Sequence, residues 1–410
     1  MLSSLGAQVR QLISSVPLEL VNLKEFSTEA RECNSPRPVR SFEPRNKVKN
    51  QVEKIMNRFI NILGSASVAL LSLSAVAQAQ EKISLVMSSS HPERLPWIGM
   101  MSDVFKPEVD RILAESGNYE ISWNESYGGQ LYKPNGMLSA IKDGITDIGW
   151  VLVPLFSADM HLNNVSYTTP FATDDPLMVA EIFNELNETV PALREEWEAN
   201  NAVFLAATTV DTHHLFTTEP TNGVADIDGE KLLAAGVVGS FLEGTGAIAV
   251  NSALPSFYTD LQTGLAEGAV TITTVIAAGK IYEVSPYVTP LSFGSTYTGG
   301  VAINMDRWED LPEEVQNALK TAGVVYSKAL GARMQAAGAG AMEAVLQNGG
   351  ILHDWPEGER ENWISGMPNI AQRWADAGEA RGKPANEVLA AWMNALRSRG
   401  VVLARDWDKE

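Results

Sequence analysis

The chain is 410 residues long, carries a formal net charge of −19 and contains a single cysteine, Cys33. Such an excess of acid repels nucleic acid and anionic membrane surfaces, so neither is an expected partner. One thiol, lying far upstream, leaves nothing for a disulfide framework or a thiolate metal site.

The stretch from Met56 to Ala79 reads as a secretory signal peptide. Arg58 supplies a basic start, an apolar run follows from Phe59 to about Leu73, and Ala77-Gln78-Ala79 is a small-x-small cleavage site. The run is shorter than the roughly 20 apolar residues of a membrane span. Residues 1–55 are therefore expected to be an upstream, non-native, disordered extension. Residues 1–80 hold 10 of the 31 basic and 6 of the 50 acidic side chains, so the remainder keeps 21 and 44 and has a net charge of −23. An exported, unanchored periplasmic protein follows as the expectation. Cys33 lies in Ala-Arg-Glu-Cys-Asn, which lacks the small apolar residues that precede a lipid-modified cysteine.

Strands and helices then alternate. Lys82 to Ser88 alternates polar and apolar residues and predicts a strand. Trp97, Met101, Phe105, Val109 and Ile112 recur at helical spacing, with Pro107 expected to kink the helix. Tyr119 to Glu125 returns as a strand, Pro134 to Lys142 as a short helix, and Asp147 to Val151 as the next strand. Pro176 to about Asn200 is helical, Phe204 to Val210 strand-like, Ser256 to Thr263 a short helix, and Glu267 to Thr274 a buried strand. Tyr287 to Pro290 and Thr298 to Asn304 are further strands. Pro312, Glu313, Glu314 and the closing Gly349-Gly350 bracket the longest helical signal. It is either one helix bracing two α/β lobes or two helices parted near Gly338. Gly331, Gly338 and Gly340 would let it bend or let another element approach. Trp355, Trp363, Trp374 and Trp392 fall on helical patterns that would pack over this frame. The alternation predicts an α/β fold.

The chemistry motifs are sparse. His91, His161, His213, His214 and His353 form no pair on one helical face, and His213 and His214 should point to opposite sides of a strand, so no metal is expected. There is no Gly-x-Ser-x-Gly elbow, and GTGAIA at 244–249 lacks both the later glycine of a dinucleotide fingerprint and the lysine of a phosphate loop. Neither a cofactor nor an enzyme activity is indicated.

Two blocks carry a resemblance. The first is GGQLYKPNGMLSAIKDGITDIGW at 128–150; the second is ADIDGEKL at 225–232 with YTDLQTGLAEGAVTITTVIAAGKIYEVSPYVT at 258–289. NMDRWEDLPEEVQNAL at 304–319 follows. Together they resemble the solute receptors of tripartite ATP-independent periplasmic (TRAP) transporters, the dicarboxylate-receptor (DctP) family. The resemblance implies a two-lobed, monomeric receptor with a long interdomain helix at about 312–348. Lobe I would comprise 80–207 and 293–325, lobe II 208–292 and 326–398, with a tail at 399–410. It also implies a small organic solute captured between the lobes and passed to membrane permease subunits. The family's arginine in "G-x-K-x-R", a fork for a ligand carboxylate, aligns with Leu233, unless Lys133 serves instead. Aromatic and polar residues on cleft-lining elements become the expected ligand contacts: Trp150 first, then Trp97, Phe171, His213, Asp211, Glu243, Thr271 and His91. Aromatic faces beside carboxylates suit an amine, a betaine or a neutral solute. A periplasmic enzyme or a sensor receptor on the same frame is the alternative.

Overall fold

The computed structural model describes residues 80–410; the extension, the signal peptide and Cys33 lie outside the described residues. Two sheets form the framework. The first orders its strands β2-β1-β3-β10-β4, with β1 Glu81–Ser88, β2 Tyr119–Ser126, β3 Ile148–Leu152, β4 Ala202–Thr209 and β10 Tyr297–Asn304. β1 runs parallel to β2 and β3, while β10 lies antiparallel between β3 and β4. The second orders β11-β9-β5-β8-β6-β7, with β5 His213–Thr217, β6 Lys231–Ala234, β7 Ile248–Asn251, β8 Gly268–Ile272, β9 Tyr287–Gly294 and β11 Ile351–Leu352. The chain passes between the sheets at residues 210–212 and again at 295–296.

A third link is a helix. It runs unbroken from Glu313 to Gln347, 35 residues and about 50 Å, with Pro312 at its N-cap. Its apolar positions from Val315 to Met334 enter the core beneath the first sheet, and Val345 enters the core beneath the second. Glycines let it sit close. A β-carbon on Gly323 would lie 2.0 Å from the Leu205 carbonyl oxygen, one on Gly331 2.6 Å from Leu177 Cα, and one on Gly338 2.8 Å from Asp211 Cβ. Gly340 faces open space. Three of these glycines are therefore contact points, and none breaks the helix.

The remaining helices, numbered in chain order with the long helix as α9, are α1 Pro96–Met100, α2 Lys106–Ser116, α3 Met137–Lys142, α4 Pro176–Thr189, α5 Pro191–Glu198, α6 Phe257–Gln262, α7 Thr273–Ala278, α8 Met305–Glu309, α10 Glu359–Gly366, α11 Ile370–Glu379 and α12 Ala385–Ser398. Between α1 and α2 the chain widens into a π-turn, Met101–Phe105, just ahead of Pro107. The proline has no N–H to give the preceding turn, and the wider turn absorbs that loss. The predicted helix at 176–200 divides at Val190-Pro191. Trp355 lies ahead of α10, off the helix; its indole N–H bonds the Thr221 hydroxyl at 3.1 Å. The sequence reading gave 326–398 to the second lobe. α12 instead packs on α4 and on the 3-10 segment Leu162–Thr168 of the first, with Trp392 5.3 Å from Phe183 and bonded to Thr169. Burial of these large aromatics on the nearest apolar face decides the docking.

Replacing Gly323 with alanine should destabilise the chain by about 1–3 kcal/mol, because backbone must move to admit the methyl group. Replacing Gly340 should stabilise it by up to about 1 kcal/mol, through helix propensity alone. Chemical denaturation of the two variants reads the difference in sign.

Candidate functional site

In open α/β sheets, ligands lie beyond the carboxyl ends of the parallel strands. Here the ends of β1 and β3 in one sheet, and of β6 and β8 in the other, lead toward the crossings. Trp150 sits on β3 at this edge, 1% exposed, and its indole N–H donates to the Thr208 hydroxyl at 2.9 Å. Thr208 in turn bonds the Gly299 carbonyl and the Thr298 hydroxyl, both at 3.0 Å. His91 meets the Trp150 ring edge-on at 5.2 Å, and Trp97 lies tilted against it at 5.9 Å. The Trp97 carbonyl accepts from the Tyr326 hydroxyl of α9, so the long helix fixes this corner. The structure thus brings together three of the eight predicted residues. Burial lowers the His91 pKa, and His91 Nδ1 pairs with the Ser90 hydroxyl at 2.9 Å.

A second group forms at the crossings. His213 and His214 point to opposite faces of β5, as predicted. His213 Nδ1 donates to the Gly294 carbonyl at 3.1 Å, and its ring meets Phe241 at 5.8 Å. His214 Nδ1 accepts from the Ser292 N–H at 3.2 Å. Burial pushes both imidazoles down to about 4, so both are neutral at pH 7. Thr271 lies opposite His214 in the β5–β8 register and is buried. Asp211 accepts from the Thr274 N–H at 3.0 Å and the Thr274 hydroxyl at 2.5 Å, which caps the first turn of α7. Burial raises its pKa despite these bonds.

The other predicted contacts lie elsewhere. Phe171 lies tilted against Phe293 at 4.8 Å, away from the Trp150 group. Glu243 is held by both Nη atoms of Arg373, at 2.7 and 2.6 Å. Leu233 is fully buried in the core with Phe257 and Leu261. Lys133 is tied to the Gly129 carbonyl at 3.0 Å.

Sequence reasoning missed one wall of the interlobe space. A cavity of about 580 Å³ opens between Leu162–Thr168 of the first lobe, the 3-10 turn Gly236–Leu242 of the second, and α11. That volume lies within the range of small-molecule pockets. His161 stacks on Trp374 at 4.9 Å and donates Nε2–H to the Trp374 carbonyl. Glu196, 5% exposed, pins this wall by accepting from the N–H groups of Leu162 and Asn163 and pairing with Lys383. Nothing local marks Glu196 as special, since its partners lie more than 30 residues upstream and far downstream. Among the described residues no group of three His, Cys, Asp or Glu is placed to hold a metal ion, and no helix is long and apolar enough to cross a membrane.

Two sheets joined by two crossings and one bracing helix, with aromatic side chains at the facing edge, define a two-lobed solute-binding protein. Residues 87–377 match the family model for DctP, bacterial extracellular solute-binding protein family 7, and the chain belongs to that family. Its fold is similar to that of a TRAP periplasmic solute-binding protein from Desulfovibrio salexigens, with a TM-score of 0.67 and 19% identity over 77% of this chain and 96% of that one. A TRAP solute-binding protein from Rhodoferax ferrireducens in complex with benzoate gives 0.65 and 21%, over 78% and 98%. A Bordetella pertussis extracytoplasmic solute receptor binding pyroglutamic acid gives 0.61 and 16%, over 75% and 99%.

The two neutral histidines make stability depend on pH. Unfolded, each titrates near 6.5; folded, each titrates near 4. Their contribution is full above pH 6.5 and falls as pH drops from 6.5 toward 4, because only the unfolded chain takes up protons in that window. Replacing His213 with glutamine should lower the slope of stability against pH by up to one proton, about 1.4 kcal/mol per pH unit, between those limits. Denaturant melts at pH 5 and 7 on wild type and variant measure the difference, in which the other acids cancel.

Proposed function

We propose that the chain is the extracytoplasmic receptor of a TRAP transporter. It captures a small organic solute between its lobes and delivers it to the membrane permease subunits, acting as a monomer in the periplasm and not as an enzyme. The observation that carries this reading is the His91–Trp97–Trp150 group, set at the carboxyl edge of one sheet and facing the crossings in a chain of this family.

The solute is the finer part of the proposal. The relatives from Rhodoferax ferrireducens and Bordetella pertussis hold benzoate and pyroglutamic acid. On the proposed motif match, Leu233 takes the place of the carboxylate-clamping arginine, and its side chain is committed to the core. The guanidinium that lines the interlobe cavity, Arg373, is occupied by Glu243. Asp211 and Glu243, the acids that would attract an ammonium group, are engaged by Thr274 and Arg373. What borders the proposed cleft is buried aromatic side chain and neutral imidazole. These features favour a neutral, planar solute over a simple dicarboxylate, with amines and betaines next.

A thermal-shift screen of neutral solutes, betaines, amines and carboxylates tests the solute class. A true ligand at 100 times its Kd should add about 2.7 kcal/mol of stability. Replacing the half-buried Trp97 with alanine should weaken that ligand by about 2 kcal/mol, roughly 30-fold, by titration calorimetry. Shifts from simple carboxylates alone would overturn the neutral-solute reading. Recovery of a chemically altered solute would overturn the receptor reading in favour of an enzyme.

A further inference from the structure

A larger cavity, about 890 Å³, shares no lining residue with the one between Leu162–Thr168, Gly236–Leu242 and α11. Its walls are the loop containing Phe171, the β9 residue Ser292, the inner face of α10 and the tail around Leu403. Three features converge there. The first is a cation without an acid partner. Arg360 donates Nε–H to the Leu291 carbonyl at 2.8 Å, and among the described residues its two Nη atoms have neither a hydrogen bond nor an ion pair. Of the three acids that line the cavity, Glu410 is held by Arg405 and Asp174 accepts from the Thr212 hydroxyl at 3.1 Å, while Glu361 is exposed and pairs with no cation among the described residues.

The second is backbone strain. Phe171 has φ +64° and Ser292 φ +57°, the left-handed region that a bulky side chain rarely enters. Strain of this kind concentrates at ligand sites and switches. Phe171 is held there by its N–H, which donates to the Phe293 carbonyl at 2.6 Å. The third is an aromatic platform beneath the cation. The Arg360 guanidinium lies 5.0 Å above the Phe171 ring, and both residues line the cavity. Ile364 and Leu403 supply apolar wall.

We propose that this cavity is a second ligand site, for a small monocarboxylate with an apolar body. The carboxylate takes the two free Nη donors of Arg360, a geometry the planar fork matches. The Ser292 hydroxyl is within the same wall, and the apolar body lies on Phe171, Ile364 and Leu403. The site adjoins the crossing at 295–296. Ser292 bonds His214, and Phe293 meets Phe241, which meets His213. A bound carboxylate therefore lies against the strand that leads into that crossing.

Sodium benzoate and sodium hexanoate are the probes, benzamide the uncharged control, and the full chain the protein. Titration calorimetry on wild type, Trp97→Ala and Arg360→Gln is combined with amide exchange. The expected result is saturable binding of a carboxylate in wild type and in Trp97→Ala, at least tenfold weaker binding in Arg360→Gln, partial recovery in Arg360→Lys, and none of benzamide at this site. Protection of amides at 171–174 and 291–294 in wild type locates the site even if a variant folds poorly. Equal affinity in wild type and Arg360→Gln, no carboxylate binding, or protection confined to the Trp150 edge would each overturn the proposal. Loss of binding only in Trp97→Ala would overturn it too, while leaving the cleft as the receptor site.

Discussion

Gly323 of α9 lies against the carbonyl of Leu205 with no room for a β-carbon between them, and Gly331 and Gly338 repeat the arrangement against Leu177 and Asp211. Close backbone contact of this kind has few alternative packings, because cores do not deform continuously. It registers a single helix against α4 and β4 of the first lobe and against Asp211, in the middle of the crossing to the second. Asp211 then caps α7, so the same contact that seats the helix also seats the first turn beneath the second sheet. With the helix fixed, the freedom left between the lobes resides in the short crossings, and the ligand edge of each sheet is held opposite the other.

The electrostatics of that edge are quieter than the chain's acidity suggests. The carboxylates near the cleft are each taken up locally: Asp211 by Thr274, Glu243 by Arg373, Glu196 by Lys383 and two backbone N–H groups. The imidazoles are kept neutral by burial. On the proposed reading, a solute entering there would meet rings and hydrogen-bonding groups rather than free charge. Arg360, by contrast, is a cation whose fork is open among the described residues, and it lines a separate cavity.

Much of this was legible in the sequence where the signal is local. Pro312, the acids after it and Gly349 delimited α9 to within a residue or two. The alternation at Lys82–Ser88 and the Asp147–Val151 run became strands, and Trp150 lies on the second of them. What failed was long-range. Trp355 fits a helical spacing, yet its indole finds Thr221 from a loop. α12 docks on the first lobe because Phe183 and Thr169 are there, which no periodicity of residues 385–398 encodes. Phe171 was taken for a cleft residue, but a left-handed φ, set by its bond to Phe293, turns it onto another cavity. The short strands β6, β7 and β11 have too few residues to show a period at all. Glu243 looked like free negative charge because Arg373 is 130 residues away in sequence.

The central claim is that solute is held at the Trp150 edge without a guanidinium clamp. A co-crystal structure with the solute found by screening addresses it directly. The account predicts solute density against Trp97 and Trp150, with Leu233 still in the core and Arg373 still paired to Glu243. Solute gripped by Arg373 turned away from Glu243, or bound with no contact to either tryptophan, would contradict it.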